Sequence, residues 1–474
     1  MKLSLTKNAG FNLIYSVLNV IFPLLSASYV SRVLSPAGVG KVAYAQNIAS
    51  YFVMIAAVGL TQYGIREAAR AKEDMCRTSR LMSEMAILNG FSSLICAGAY
   101  LVFIYAVFPQ EKLIYLIFGA EIVFGIFGTD WLYQGREEYR FITLKSFFVK
   151  IVSFTALLIF VKNAGDHIEY ALILCLSIFI DRAVGIVYAL TKAKPSFRGI
   201  SLRHHIKPAV IFTLSAAISG LYGKTDITIL GIMASESDVG FYTVAHKTVI
   251  IVTALGTALT AVFLPRLSFI YQRDKSEYSE IISLGTKIAL LLTVPACLGL
   301  IAVSDGAVVL LFGKAFEPAA VTLRILAVLT VIKGVGDVLC YQPIVSSGNE
   351  RILIISGIAA GAANIILSFI LIPSCSYNGA AIALVASELV VNGVLLSRSL
   401  KIARPKLSFK FLLSLVLSNA CMILAVLLVR AAVSQPAASF ALSVAAGVLV
   451  YCISLMLTKN EMVKELFKKL KKES

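Results

Sequence analysis

RSLKIARPKLSFKFLLSLVLSNACMILAVLLVR, residues 398–430, places five basic side chains in its first 13 positions and then runs 19 residues without a charge before Arg430. A helix of about 20 apolar residues covers the roughly 30 Å hydrocarbon core of a bilayer. The stretch therefore reads as a basic connection followed by a membrane crossing. Outward from it the same unit recurs along the 474 residues: about fourteen mostly apolar stretches of about 20 residues each, with most of the 43 Lys and Arg in every second gap. The fold class is an all-α integral membrane protein of about 14 transmembrane helices. With 58% hydrophobic and 15% charged residues, no separate soluble domain is left over.

Short cytoplasmic connections are enriched in Lys and Arg, which orients the chain. With both termini cytoplasmic, 29 basic residues fall on the inner side and six on the outer. The inner set includes the clusters Arg66 to Arg80 and Lys192 to Lys207, the connection above and six tail lysines, and it counts Lys145 as a loop charge. The formal charge of +17 thus reports topology and contact with anionic lipid rather than nucleic-acid binding. In the tail from Lys459 to Ser474, Met462, Val463, Leu466, Phe467 and Leu470 share a helical face with lysines opposite. That pattern suits a helix on the inner leaflet, and equally a solvated, frayed end.

Eight cysteines lack metal or redox spacing, and four histidines form no HExxH and no Cys/His cluster. No GxxxxGK[ST] loop or GxSxG elbow is present. The expectation is a transporter without cofactor or metal, not an enzyme, and one that draws on a gradient or a partner.

A shift of 200 residues lays Ser35, Val39, Gly40, Ala45 and Arg66 on Ser235, Val239, Gly240, Ala245 and Arg266. It also lays the first two apolar stretches over the seventh and eighth. Two pseudo-symmetric six-helix lobes, 1–200 and 201–400, are expected, related by an axis along the membrane normal. An added pair at 401–458 and the basic cytoplasmic tail 459–474 complete the chain.

Charges inside a bilayer are costly and mark function. The seventh stretch, 208–232, puts Lys224 about 12 Å below the outer surface, and the eighth, 239–263, puts His246 and Lys247 at a similar depth. With Asp226 they form one polar layer, and the repeat sets Gln46 and Asn47 opposite. Such a layer suits a phosphate or polar sugar; a self-neutralising Lys224 and Asp226 pair is the alternative. Lys150 with Asp181, and Lys333 with Asp337 and Glu388, read as internal ties between helices. Glu121, Asp130, Asp337 and Glu388 are candidates to bind a coupling proton or sodium ion.

The segment DWLYQGREEYRFIT, Asp130 to Thr143, closely resembles one found in Wzx-type O-antigen and capsular oligosaccharide flippases of the multidrug/oligosaccharidyl-lipid/polysaccharide exporter superfamily. Asn8, Ser31-Arg32-Val33-Leu34, Gly38-Val39-Gly40 and Ala45 resemble that family's opening helices, and Val239 to Tyr242 its seventh-to-eighth turn. The resemblance implies a V-shaped, two-lobed transporter in the bacterial cytoplasmic membrane. By alternating access it would turn undecaprenyl-diphosphate-linked oligosaccharide repeat units to the outer leaflet for surface polysaccharide biosynthesis, coupled to H+ or Na+. A polymerase and chain-length regulator of the same pathway are the implied partners. Along such a path Arg32 and Lys41 near the outer mouth, and Arg66 and Arg266 near the inner one, would offer further anion contacts; topological anchoring is the other reading for Arg66 and Arg266. Trp131 and Tyr133 read as interfacial belt residues or sugar-stacking rings. Many relatives have 12 helices, so the last pair is a departure. A multidrug cation antiporter of the same superfamily, a peptidoglycan-precursor or teichuronic-type glycolipid flippase, and a membrane glycosyltransferase are the alternatives.

Overall fold

The computed structural model describes residues 2–57, 59–72, 74–260, 262–349, 351–458 and 460–462. Most of the amphipathic tail lies outside them. Every regular element among the described residues is helical, as backbone that must satisfy its own polar groups in lipid requires. Eight helices there are long and apolar enough to cross a membrane. Two of the expected fourteen lie within Arg351–Ile402, on either side of a non-helical Ser376, and the fourth is cut short at Phe124 by the break at Gly125 to Thr129.

By packing, the chain divides into two compact units, Met1–Gly231 with Ser235–Gly240, and Ile232–Ala234 with Phe241–Ser474. The first holds α1 (Lys2–Val33), α2 (Pro36–Ala56), α3 (Leu60–Arg70), α4 (Met75–Val107), α5 (Lys112–Phe124), α6 (Asp130–Gly135), α7 (Tyr139–Phe160), α8 (His167–Lys192), α9 (Arg203–Tyr222) and most of α10 (Thr225–Met233). The seventh apolar stretch, α9 and α10, thus packs with the first unit although the sequence repeat begins a new set at 201. Next comes α11 (Glu236–Thr260), whose first turn belongs to the first unit. The second unit continues with α12 (Phe263–Ile270), α13 (Lys275–Phe312), α14 (Ala319–Gly336), a π-helical segment Asp337–Tyr341, α15 (Gln342–Ser346), α16 (Arg351–Ile402), α17 (Phe409–Ala432) and α18 (Pro436–Leu457).

The breaks have local causes. Gly59 separates α2 from α3 in a left-handed conformation (φ 63°), and a Cβ there would stand 2.5 Å from Phe212 Cβ on α9. Only glycine meets both demands. Gly125 to Thr129, with one 3₁₀ turn, separates α5 from α6. In α16, Ser376 (φ 45°, ψ −130°) follows Pro373 and reverses the chain. A Cβ on Gly379 would stand 2.4 Å from the Leu371 carbonyl oxygen, so the two arms meet backbone to backbone. α16 is therefore two helices that meet at Ser376, and they hold the eleventh and twelfth apolar stretches.

Identical residues of the 200-residue repeat do identical work. The Ser35 hydroxyl accepts from the Gly38 N–H and caps α2, and the Ser235 hydroxyl likewise accepts from the Asp238 N–H at the start of α11. A Cβ on Gly40 would lie 1.8 Å from the Glu236 oxygen, and one on Gly240 would lie 2.1 Å from the Pro36 oxygen. Residue 36 meets 240 and residue 40 meets 236, the reciprocal pattern of a local two-fold axis. Small residues permit this approach where lipid supplies no hydrophobic drive between helices.

Candidate functional site

Two of the polar clusters among the described residues of the first unit contain residues marked in the sequence. The first joins α2 to the break between α9 and α10. Because Lys224 stands just before α10, its carbonyl accepts from Asn47 Nδ2 at 3.2 Å, and the same amide donates to Thr228 Oγ1 at 2.7 Å. Tyr51 and Thr228 share a hydroxyl–hydroxyl bond of 2.7 Å. The half-buried Lys224 ammonium donates to Ser50 Oγ at 2.6 Å, a neutral oxygen. No salt bridge holds Lys224 among the described residues, and the carboxylate near enough to act on it electrostatically is Glu121 of α5. Asp226 is fully buried on the next turn, and Gln46 sits half-buried beside Asn47.

The second cluster ties α6, α7 and α8. Lys145 Nζ lies 2.6 Å from Asp130 Oδ1 and 2.9 Å from Asp181 Oδ2, and Arg182 Nη1 lies 3.5 Å from Asp130 Oδ2. Two acids and two bases make a neutral quartet, which lowers the desolvation cost of each. Lys145 is buried within α7, so it is not a loop charge. Its pairing also corrects the expected Lys150 to Asp181 tie, since Lys150 instead bonds Asn19 and Ser146. Asp130 and Arg182, with Asn89, Ser93, Trp131 and Gln134, line a cavity of about 170 Å³. Amides, a hydroxyl, an ion pair and an indole are the groups that bind carbohydrate by hydrogen bonds and apolar contact.

The motif containing Asp130 is explained by packing. Trp131 is buried, its Nε1 donates to the Gly128 oxygen, and its ring lies against Gly64. Tyr133 is buried and its hydroxyl donates to the Gly185 oxygen. Neither ring sits in an interfacial belt, because both face protein. A Cβ on Gly135 would lie 2.6 Å from Ala68 Cβ, Arg136 pairs with Glu138 at 3.2 Å, and Phe141 stacks on Tyr188 with centroids 3.7 Å apart. The segment locks α3, α6, α7 and α8 together.

In the second unit, His246 packs on the Tyr242 ring at 5.4 Å, and the half-buried Lys247 forms no ion pair among the described residues. Lys333 pairs with Glu388 at 2.5 Å, tying α14 to α16 as the sequence suggested. Asp337 accepts from Thr260 Oγ1 at 3.0 Å and Gln342 Nε2 at 2.8 Å. Of the expected layer, Lys224 and Asn47 meet, Asp226 and Gln46 belong to the same unit, and His246 and Lys247 belong to the other.

The outlying cations are engaged locally. Lys41 pairs with Glu111 at 2.5 Å and Glu236 at 3.3 Å, Arg266 with Glu277 at 2.8 Å, and Arg66 with Glu67 at 3.2 Å while covering the Tyr63 and Phe212 rings. Arg32 is exposed and also has an interaction partner. Glu121 is buried, with no hydrogen-bond partner for Oε1 among the described residues. Ser50, Tyr51 and Thr228 were not foreseen, because hydroxyl residues are common in membrane helices and carry no charge signal. Of the quartet, Asp130 and Asp181 were marked in the sequence, Asp181 with a different partner, whereas Lys145 was counted as a loop charge.

The model of the family described as polysaccharide biosynthesis protein matches residues 5–271, more than half of the chain. Over 415 residues, 83% of this chain and 96% of the relative, the chain is 22% identical to a provisionally named O-antigen transporter of Escherichia coli (strain K12). Over 226 residues, 46% of this chain and 47% of the relative, it is 27% identical to a provisionally named low-salt glycan biosynthesis flippase of Haloferax volcanii. In fold it matches the lipid II flippase MurJ in an inward closed conformation, with a TM-score of 0.74 and 17% identity, covering 97% of this chain and 100% of that one. With its apolar helices, its buried polar clusters and these likenesses, the chain belongs to the polysaccharide biosynthesis protein family, as a Wzx-type flippase of the multidrug/oligosaccharidyl-lipid/polysaccharide exporter superfamily, a multi-pass transporter and not an enzyme.

Proposed function

We propose that the protein carries undecaprenyl-diphosphate-linked oligosaccharide repeat units from the inner to the outer leaflet of the cytoplasmic membrane, with fourteen crossings, two six-helix lobes plus a helix pair, and both termini cytoplasmic. The observation that carries the cargo reading is Lys224: a half-buried ammonium at a helix break, held by the Ser50 hydroxyl rather than by a salt bridge. A cation placed in this way keeps its charge available for an anionic group such as a diphosphate. Lys247, half-buried within α11, is a further anion contact in this reading, with Arg32, Lys41, Arg66 and Arg266. The cavity beside Trp131 and Gln134 offers groups suited to the glycan.

Transport proceeds by alternating access in this reading, driven by H+ or Na+. Glu121 is the carboxylate best suited to exchange the coupling ion, because Asp130, Asp337 and Glu388 are already satisfied by Lys145, by Thr260 and Gln342, and by Lys333. Anionic lipid on the basic side, and a polymerase and chain-length regulator downstream, are the proposed partners.

The test replaces Lys224 and Lys247 together by Ala. Surface glycan should be lost while the purified protein remains monodisperse in detergent; unchanged glycan removes the anion site from this reading. In vesicles containing the wild type, a fluorescent undecaprenyl-diphosphate glycan should cross between leaflets. Movement of a cationic dye in its place would favour a multidrug antiporter.

A further inference from the structure

Glu84 and the pair His204-His205 lie about 120 residues apart in sequence, yet the fold gathers them. Each offers one ligand atom, and the three atoms lie within 4.8 Å of one another. Glu84 on α4 and His205 on the first turn of α9 are buried, while His204 is exposed. They border a cavity of about 300 Å³ on the side that carries the basic connections, lined also by Glu67, Asp74, Arg77 and Arg80. Glu67 is engaged there by arginines, Arg70 at 3.1 Å and Arg77 at 3.8 Å, and the Asp74 carboxylate accepts from the Arg77 backbone N–H. Neither acid therefore competes for the histidines.

What distinguishes the trio from a casual cluster is how the far side of each group is fixed. His205 Nε2 lies 2.9 Å from Glu84 Oε2, and its Nδ1 meets the Tyr63 hydroxyl of α3. Glu84 Oε1 accepts from the Ser201 N–H at 2.8 Å, and the Ser201 hydroxyl meets His204 Nδ1 at 3.2 Å. One ring nitrogen of each histidine and one oxygen of the carboxylate are thus held from behind, leaving His204 Nε2, His205 Nε2 and Glu84 Oε2 for one shared centre. Outer partners that fix tautomer and ring orientation are the usual companions of metal-ligating histidine. The two imidazoles are already close, with centroids 3.7 Å apart. A centre about 2.0–2.2 Å from each of two nitrogens and one oxygen would replace the present His205 to Glu84 hydrogen bond and draw in the exposed His204.

We propose that Glu84, His204 and His205 form a binding site for a borderline divalent cation of the Zn2+ type, with its fourth position open to the cavity. Two imidazoles and one carboxylate match Zn2+, whereas Mg2+ and Ca2+ take oxygen ligands. The ion would tie the start of α9 to α4 and, through Tyr63, to α3. It is independent of the cargo and needs no transport to detect.

The experiment uses the full chain purified in detergent, with its affinity tag removed and metal stripped by chelator, titrated with Zn2+ against a chromogenic chelator. One Zn2+ per chain should be retained, with affinity falling at least about tenfold in H204A and binding lost in H205A and E84Q. Since His204 is exposed, H204A tests the site without disturbing the buried pair, and gel filtration checks all three variants. The proposal is overturned if the wild type cannot compete with the chelator, if H204A and H205A retain Zn2+ as the wild type does, or if Mg2+ or Ca2+ displaces Zn2+ at equal concentration.

Discussion

Lys145 shows what a single residue gains from its surroundings. It stands about 9 Å along α7 from Tyr139, and a charge so placed persists because Asp130 and Asp181 both face it. Removing one partner of a buried pair costs about 3–5 kcal/mol. The carboxylates are 30% and 25% exposed, so Lys145→Met should fall toward the lower end of that range. A reduced melting temperature in detergent is expected, partly restored by adding Asp181→Asn. If the double variant is no more stable than the single one, the quartet is not an electrostatic unit. Depth arithmetic alone made Lys224 a candidate, because its place within an apolar stretch was plain. It could not separate Lys145 from a loop, since a boundary error of a few residues moves a charge from water to protein.

Among the elements, the short helices carry more meaning than the long ones. The apolar stretches that break at Gly125 to Thr129 and before Lys224 are where backbone carbonyls turn to polar side chains, Asn89 and Trp131 at the first and Asn47 at the second. Gly40 and Gly240 add a second device, the reciprocal crossing of the first turns of α2 and α11. Gly40→Ala and Gly240→Ala should each abolish surface glycan export, because the added methyl would stand 1.8 and 2.1 Å from a backbone oxygen. Gly38→Ala is the control: its Cβ would have 3.6 Å of clearance from the Ala164 oxygen, and export should persist. Equal export in Gly38→Ala and Gly40→Ala would show that the crossing does not constrain function. The repeat marked both glycines in the sequence. Its spacing did not say that they touch.

At the scale of the whole molecule, the bilayer accounts for surfaces that water would not tolerate. Val416 and Leu428 on α17, and Leu449 on α18, are 64%, 62% and 62% exposed. Apolar surface of this kind is stable when lipid is the solvent. The charge asymmetry carries the proposed orientation, with both termini cytoplasmic. A fluorescent protein fused after Ser474 should fluoresce, and alkaline phosphatase inserted at 433–435, between α17 and α18, should be active. The reverse result at both sites would invert the topology and with it the assignment of inner and outer charges.

The sequence by itself determined the helical membrane class, the apolar stretches, the bias of basic residues and the 200-residue repeat. These are properties of single segments or of composition, set by the thickness of hydrocarbon and the cost of moving charge through it. Beyond the pair of Lys333 with Glu388, only the tertiary structure decided which charges meet. Lys145 chose Asp181 over the expected Lys150 pairing, Lys224 found Ser50, and Glu84 reached His205 across 121 positions. Hydrogen bonds and ion pairs act over about 3 Å, and no spacing along a folded chain specifies contact at that range until helices have packed.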